Sequence, residues 1–247
     1  MQTLKRAVAV MAAFDEGDGT LSMGQIAGRA ELPQSTAYRL VNEMIELGLL
    51  ERTGRSISLG MRVFEFGQLA SRRRRLREVA LPYIADLREA THQTIHLATM
   101  EHTEVVYLEI LPAHHGPPLP SRVGGRLPAY STGIGKAMLA FCPPALVDEV
   151  VDGRFAKMGP GTILEPAELL RQLKKARTTN IAYDHEESAA RVVCAASPIL
   201  DATGRPLAGI SASGWSGKVD LRRVSPAVMT CARAISRAAV SRGVSRV

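Results

Sequence analysis

Apolar residues between positions 22 and 47 recur at three- and four-residue spacing with one interruption, which predicts two short helices joined by a tight turn. Ser22 precedes the first, and Gln25 three residues on completes a capping-box pattern. Ile26, Ala27 and Ala30 form its buried face. Glu31 and Leu32 make the turn. Many such turns carry Gly where this chain has Glu31, and the substitution predicts an ordinary right-handed turn conformation. Pro33 stands where a helix can begin, because its missing N–H costs nothing there. The second helix, Gln34 to Leu47, buries Ala37, Leu40, Val41, Met44 and Leu47. Its other face is left with Gln34, Ser35, Thr36, Tyr38, Arg39 and Asn42. Gly48 ends it. Leu49 to Thr53 and Ser56 to Leu59 then alternate as a two-stranded wing around Gly54-Arg55, with Arg52 and Arg55 outward. The order of helix, turn, polar-faced helix, Gly and basic hairpin predicts a winged helix-turn-helix that reads double-stranded DNA. A purely structural helical pair is the bland alternative, and the basic wing speaks against it.

The same pattern carries on in both directions. Leu4 to Phe14 reads as an amphipathic helix placing Leu4, Ala7, Val8, Met11 and Phe14 under the helix pair. Met61 to Leu76 reads as a linker helix with a seam of Val63, Phe64, Gly67, Leu69 and Ala70, ending in the run Arg72 to Arg75. Ala80 to Thr91 is a further helix, with Leu81, Ile84 and Leu87 inward. Thr94 to Met100 and Val105 to Leu111 form a hairpin. A Pro/Gly-rich loop, residues 112–128, follows. Helices are predicted over Gly133 to Cys142, Pro144 to Val151 and Pro166 to Thr178, the last closed by Asn180 in a left-handed conformation. Strands follow at Ile181 to Asp184, Val192 to Ile199 and Leu207 to Ser213. Ser225-Pro226 then opens a final helix burying Val228, Met229, Ala232, Ile235 and Ala239. The fold class is α+β, an antiparallel sheet with helices around it behind a winged helix. The expected divisions are 1–60, a linker helix at 61–76, and 77–247.

Composition narrows the class. The chain has 247 residues and a net charge of +7, unevenly placed: +4 over residues 1–77, −3 over 78–217 and +6 over 218–247. A basic head on an acidic middle suits a protein that presents one part to phosphate. The basic tail reads as a solvated helix face, with a second contact to DNA or an acidic partner as the alternative. No apolar run approaches a membrane span, and Leu4 to Phe14 is too amphipathic for a signal peptide. A cytoplasmic protein with no membrane partner is expected. Cys142, Cys194 and Cys231 are an odd number without metal-type spacing, and read as reduced thiols.

Polar residues of the second half gather at a few points. Gly133-Ile134-Gly135-Lys136 opens a helix, Asp184 to Ser188 is a charged loop after a strand, and Cys194 sits in an apolar strand. Ser211 and Ser213 share one face of the last strand, away from Ile210 and Ala212. Three readings compete. The first is a pocket for a small anionic ligand. The second is an enzyme using Cys194 as nucleophile with His185 and Asp184. The third is a metal site from His92, His96 and the loop carboxylates. The apolar neighbours of Cys194 argue for an inert thiol, and His92 and His96 straddle a helix end and a strand. The expectation is therefore no enzyme, no cofactor and no metal.

The runs Ser35-Thr36-Ala37-Tyr38-Arg39-Leu40, Gly48-Leu49-Leu50 and Arg126 to Ala137 carry a resemblance. So do Tyr183-Asp184-His185-Glu186-Glu187, Val192 to Ile199 and Ile210 to Gly214. Together they resemble the IclR family of bacterial transcriptional regulators over nearly the full length. The resemblance implies a GAF-like effector-binding domain after the linker helix, and dimers through the N-terminal domains, often paired into tetramers. It implies that Gly133, Ile134, Asp184, Cys194, Ser211 and Ser213 bind a small organic or aromatic acid. Where the family usually has Gly-Val-Arg-Cys, this chain has Arg191-Val192-Val193-Cys194. The expected function is a ligand-controlled operator-binding regulator, a repressor of a catabolic operon. A DNA-binding module fused to a metal-sensing or catalytic domain built on Cys194 and His185 is the alternative.

Overall fold

A computed structural model describes residues 2–15, 17–69 and 71–244, with the backbone alone for 71 and 72. Ala70, placed above in the linker seam, and the Arg72 side chain lie outside the described residues. The chain divides into two compact units, Met1–Ser71 and Arg72–Val247.

The first unit comprises α1 (Gln2–Ala12), β1 (Leu21–Ser22), α2 (Met23–Arg29), α3 (Gln34–Glu46), β2 (Leu50–Thr53), β3 (Ser56–Leu59) and α4 (Met61–Leu69). The Ser22–Gln25 capping box forms in both directions: each side chain accepts from the other's backbone N–H. Val10, Ile26, Leu40, Val41, Met44, Leu50 and Ile57 share one core. The strands are antiparallel in the order β1-β3-β2. Thr53 pairs with Ser56 across a two-residue turn whose first position, Gly54, has φ +62°. That is the chirality a tight hairpin requires.

Four expectations fail here. Leu4 and Val8 are exposed, and Val10 and Ala13 are buried instead. Apolar residues sit on two overlapping stripes of α1, and the inner one is chosen by the facing helices rather than by the local pattern. Leu47 is exposed, because it caps α3 just before the chain swings away at Gly48, φ +71°. Pro33 is the residue before α3, not its first. Glu31 has φ +52°, so the turn keeps a glycine-like, left-handed shape at a cost of about 1 kcal/mol for a residue with a Cβ.

The second unit comprises α5 (Ser71–Thr91), β4 (Thr94–Glu101), β5 (Glu104–Leu111), β6 (Arg126–Pro128), a single 3-10 turn, α6 (Gly133–Leu139), α7 (Pro144–Val151), α8 (Pro166–Thr179), β7 (Ala182–His185), β8 (Val192–Leu200), β9 (Pro206–Trp215) and α9 (Leu221–Ser241). Six antiparallel strands run in the order β6-β5-β4-β9-β8-β7. Strand alternation sends Ile95, Leu97, Ala195, Ile210 and Ala212 to a layer shared with Ile84 of α5 and with Val228, Ala232 and Ile235 of α9. The opposite face, with Ala98, Met100, Ala182 and Ala196, packs on Ile134 and Met138 of α6 and on Leu169 and Leu173 of α8. Asn180 closes α8 at φ +58°, as expected.

Element boundaries shift where burial overrides local punctuation. The helices expected over 61–76 and 80–91 are instead Met61–Leu69 and Ser71–Thr91. Leu76, Val79, Ala80, Ile84 and Leu87 form one continuous buried stripe, with Leu81 left 39% exposed. Pro82 lies inside α5 on its solvent side, where the carbonyl it cannot bond is open to water. The last helix starts four residues earlier than Ser225-Pro226 suggested. The Asp220 carboxylate accepts from the N–H groups of Arg222 and Arg223 at 3.0 and 3.4 Å and so caps it. β6, hidden in the Pro/Gly-rich loop, is three residues long and pairs with the start of β5.

Candidate functional site

In the first unit, α3 presents Gln34, Ser35, Tyr38 and Arg39 to solvent, with Thr36 and Asn42 half-buried beside them. Tyr38 is 56% exposed, an unusual position for an aromatic with no partner in its own unit. Pro33 gives α3 no side-chain cap, so its leading N–H groups keep their positive end open. Arg52 and Arg55 project from the wing, and Arg52 Nη2 donates to Asn42 Oδ1 at 2.8 Å. Wing and helix are thereby tied through two residues of the polar face. Arg39 pairs only loosely with Glu43, at 4.0 Å. All eight residues anticipated for DNA lie on this helix and wing.

In the second unit, one row of residues crosses four strands. Thr94 faces Ser213, Ser213 faces Cys194, and Cys194 faces Asp184. His96 faces Ser211 in the next row. Both rows point toward α6, and between them and α6 lies a narrow cavity. Gly133, Ile134, Asp184, Cys194, Ser211 and Ser213 all line it, together with His96, Tyr107, Thr132 and the loop segment Leu119-Pro120-Ser121. Its free space is about 20 Å³, room for roughly one water.

Close approach dictates Gly133. A Cβ there would lie 2.6 Å from Cys194 Sγ and 3.2 Å from the Asp184 nitrogen. Thr132 caps α6 by accepting from Gly135 N–H at 3.0 Å. His96 Nε2 lies 2.9 Å from Ser121 Oγ, and Nδ1 lies 3.4 Å from both Ser211 and Ser213 Oγ. Burial holds the ring neutral, with its pKa lowered to about 4. Burial likewise pushes the Tyr107 hydroxyl up.

Asp184 accepts from Glu187 N–H at 2.7 Å and from Ser188 Oγ at 2.6 Å. Its carboxyl is nonetheless pushed above the usual range by burial. Behind it, Glu187 forms a buried ion pair with Lys136, whose Nζ also donates to Gln172 Oε1 at 2.7 Å. Burial raises the Glu187 carboxyl too, and Lys136 works against that rise. Lys136 is fully buried, so the pair anchors the loop that carries Asp184. Lys136 does not line the cavity, and neither does any arginine; Asp184 is its one carboxylate.

The readings based on other chemistry meet specific obstacles. Burial, and next the Asp184 charge, raises the Cys194 thiol far above neutrality. Cys194 and His185 point to opposite faces of the sheet, since Cys194 is opposite Asp184 rather than His185. His185 is exposed. His92 is exposed while His96 is buried. Among the described residues no group of three or more His, Cys, Asp or Glu side chains gathers to hold a metal ion. His114 and His115 are exposed and do not line the cavity.

Arg191 occupies the position of the expected glycine and takes φ +64°. Its N–H donates to the Glu186 carboxylate at 2.9 Å, its carbonyl accepts from Ser216 N–H at 2.9 Å, and its guanidinium lies 4.8 Å above the Trp215 ring. The loop therefore keeps a glycine-like turn, held by two backbone hydrogen bonds, to which the guanidinium adds a cation–π contact. His96 and Tyr107, which line the cavity, and Lys136, which anchors the loop carrying Asp184, were not singled out for these roles from sequence. The one signal for Lys136 was a lone charge within an apolar helix, with carboxylates available at 184–187.

Comparison with known proteins agrees with this geometry. Residues 3–54 match the IclR helix-turn-helix domain, and residues 68–237 match the C-terminal domain of bacterial IclR transcriptional regulators. The transcriptional repressor IclR of Escherichia coli is 27% identical over 234 residues, covering 91% of this chain and 84% of that protein. An IclR homolog from Microbacterium hydrocarbonoxydans, solved with 4-hydroxybenzoate, is 31% identical and superposes with a TM-score of 0.89. That match covers 97% of this chain and 99% of the homolog. The IclR of Thermotoga maritima gives a TM-score of 0.79 at 30% identity, again over 97% of this chain and 99% of the other. These relatives are regulators of transcription and not enzymes. With both domain models matched in order, this chain belongs to the IclR family of DNA-binding transcriptional regulators.

Proposed function

We propose that this protein represses a catabolic operon and that a small organic or aromatic acid, bound in the α6-facing cavity, controls its hold on operator DNA. The observation that carries the reading is the convergence of Gly133, Ile134, Asp184, Cys194, Ser211 and Ser213 on one cavity, in a chain whose other unit is a winged helix. A relative of the same architecture binds 4-hydroxybenzoate, which makes a hydroxylated aromatic acid the first ligand to try. In this reading α3 enters the major groove through Gln34, Ser35, Thr36, Tyr38, Arg39 and Asn42. Arg52 and Arg55 meet the flanking backbone.

In this reading the chain is a DNA-binding domain at 1–60, a linker formed by α4 (Met61–Leu69) in place of the expected 61–76, and an effector domain that opens with α5 (Ser71–Thr91). Dimerisation through the first unit is supported by its exposed apolar residues, Leu4 and Val8 on α1 and Met61, Phe64, Phe66 and Leu69 on α4. A dimer, or a dimer of dimers, would cover them. No helix of the described residues is long and apolar enough to cross a membrane, and action on an operator puts the working protein in the cytoplasm.

The test is a gel-shift titration on the DNA upstream of the protein's own gene and its neighbours, against a panel of small acids that includes 4-hydroxybenzoate. Release of DNA at micromolar acid supports the reading. Binding that no acid alters in either direction overturns the effector assignment. Acid-dependent tightening overturns simple repression.

A further inference from the structure

A second concavity opens on the outer side of the effector unit, between α9 and the far half of β8. The register explains it. β7 pairs with β8 only as far as Ala182 opposite Ala196, while β8 continues to Leu200. That edge has no strand beside it, and Pro198 removes one of the donors that would invite a strand. The concavity is open to solvent, offers about 540 Å³ of space and shares no lining residue with the α6-facing cavity. This is the size of a small-molecule site, in contrast to the tight interior space.

Its chemistry is specific. Pro198, Leu200 and Val240 supply apolar wall, and Arg233 and Arg237 stand on one side, one helical turn apart. Both arginines are exposed, and among the described residues neither has a carboxylate within 4.0 Å. Like charges at this spacing repel, and an anion between them removes the penalty. The nearby hydroxyls are already committed. Ser197 Oγ donates to the Asn180 carbonyl at 2.8 Å, and Ser236 Oγ donates to Ala232 O at 2.9 Å while accepting from Leu200 N–H at 2.9 Å. Asp201 also lines the concavity, but its Oδ1 accepts from Thr203 and Arg205 N–H and from Thr203 Oγ within its own turn. The charged donors are the two guanidinium forks, shaped to grip a carboxylate in a bidentate manner, and Asn180 also lies on the lining.

We infer that this groove is a second ligand site, one that takes a small organic carboxylate with an apolar body. The carboxylate lies between Arg233 and Arg237, and the body lies against Pro198, Leu200 and Val240.

The experiment uses the full chain and 4-(trifluoromethyl)benzoate as probe, with binding read from its fluorine NMR signal and the uncharged 4-(trifluoromethyl)benzamide as control. Saturable binding of the benzoate is expected in the wild type and to persist in Ser211→Leu, in which the interior cavity is filled. The Arg233→Gln/Arg237→Gln variant should bind about tenfold or more weakly, and the benzamide should bind the wild type about tenfold or more weakly than the benzoate. Both arginines are exposed, so thermal melting should be unchanged. Val240→Glu, which sets a carboxylate on the apolar wall, should weaken the benzoate independently. Three outcomes overturn the inference: benzoate binding lost in Ser211→Leu but kept in the double variant, equal affinity for acid and amide, or a change of oligomeric state in the double variant seen by sedimentation. The last would make the groove an interface between copies of the chain.

Discussion

His96 Nε2 lies 2.9 Å from Ser121 Oγ, so a ring buried in the sheet is joined to the loop that walls the cavity. Protonating that ring would place a buried charge beside the Ser121, Ser211 and Ser213 hydroxyls and the Tyr107 ring, in a cavity whose one carboxylate is Asp184. Its pKa is held near 4 by burial, against 6.5 when unfolded. Between those values the unfolded chain binds a proton that the folded chain does not. This contribution to stability is complete above about pH 6.5 and is lost as pH falls toward 4, by roughly 2–3 kcal/mol. His96→Asn should flatten that part of the profile. Urea midpoints at pH 7 and pH 4.5, compared between wild type and variant, measure it. An equal drop in both would remove His96 from the account.

Ser211→Leu should fill the space between β9 and α6 and leave the polar end of an acid without its partner. Affinity for 4-hydroxybenzoate, or for whichever acid the gel-shift panel returns, should fall by about tenfold or more. DNA binding without effector should survive, because the substitution lies in the other unit. A variant that releases DNA at the wild-type concentration would move the site to the opposite face of the sheet.

Arg39→Ala should weaken operator binding by roughly tenfold at fixed salt with no change in melting temperature. Arg39 is exposed on α3, and its one ion-pair partner among the described residues, Glu43, is 4.0 Å away, so little folding energy rests on it. Unchanged affinity in a fluorescence-anisotropy titration would contradict the docking of α3.

Lys136→Met should destabilise the second unit by about 3–5 kcal/mol, because Glu187 is left buried without its cation. Lys136→Met combined with Glu187→Leu should recover much of that loss. Chemical denaturation of the two variants decides between an ion pair needed for stability and a lysine that is merely enclosed.

The elements that were legible in the sequence are those fixed by neighbours in the chain. The Ser22–Gln25 cap, the Gly54 turn and the Asn180 terminator each act over four residues or fewer, and each forms as the pattern implied. The phase of α1 and the extents of α5 and α9 depend on what packs against them. Leu4, Leu81 and Pro226 were therefore misread. Six cavity residues came from motif resemblance. The cavity residues His96 and Tyr107 and the loop anchor Lys136 did not, since their roles arise from register across β4, β5 and β9 and from a partner 51 positions away. Glu31 and Arg191 mislead for a different reason. Both hold a left-handed conformation that side-chain identity argues against and that the surrounding hydrogen bonds enforce.

The cavity as it stands holds no more than a water-sized body, with about 20 Å³ free, and an aromatic acid needs several times that space. Binding of an aromatic acid there would require Leu119-Pro120-Ser121 or α6 to move. The affinity measured for such an acid would then be weaker than the intrinsic one by the fraction that is open. In stopped-flow mixing, the observed rate should converge on the opening rate at saturating acid. That plateau would be a clock for the protein's own breathing, independent of which acid is used to read it.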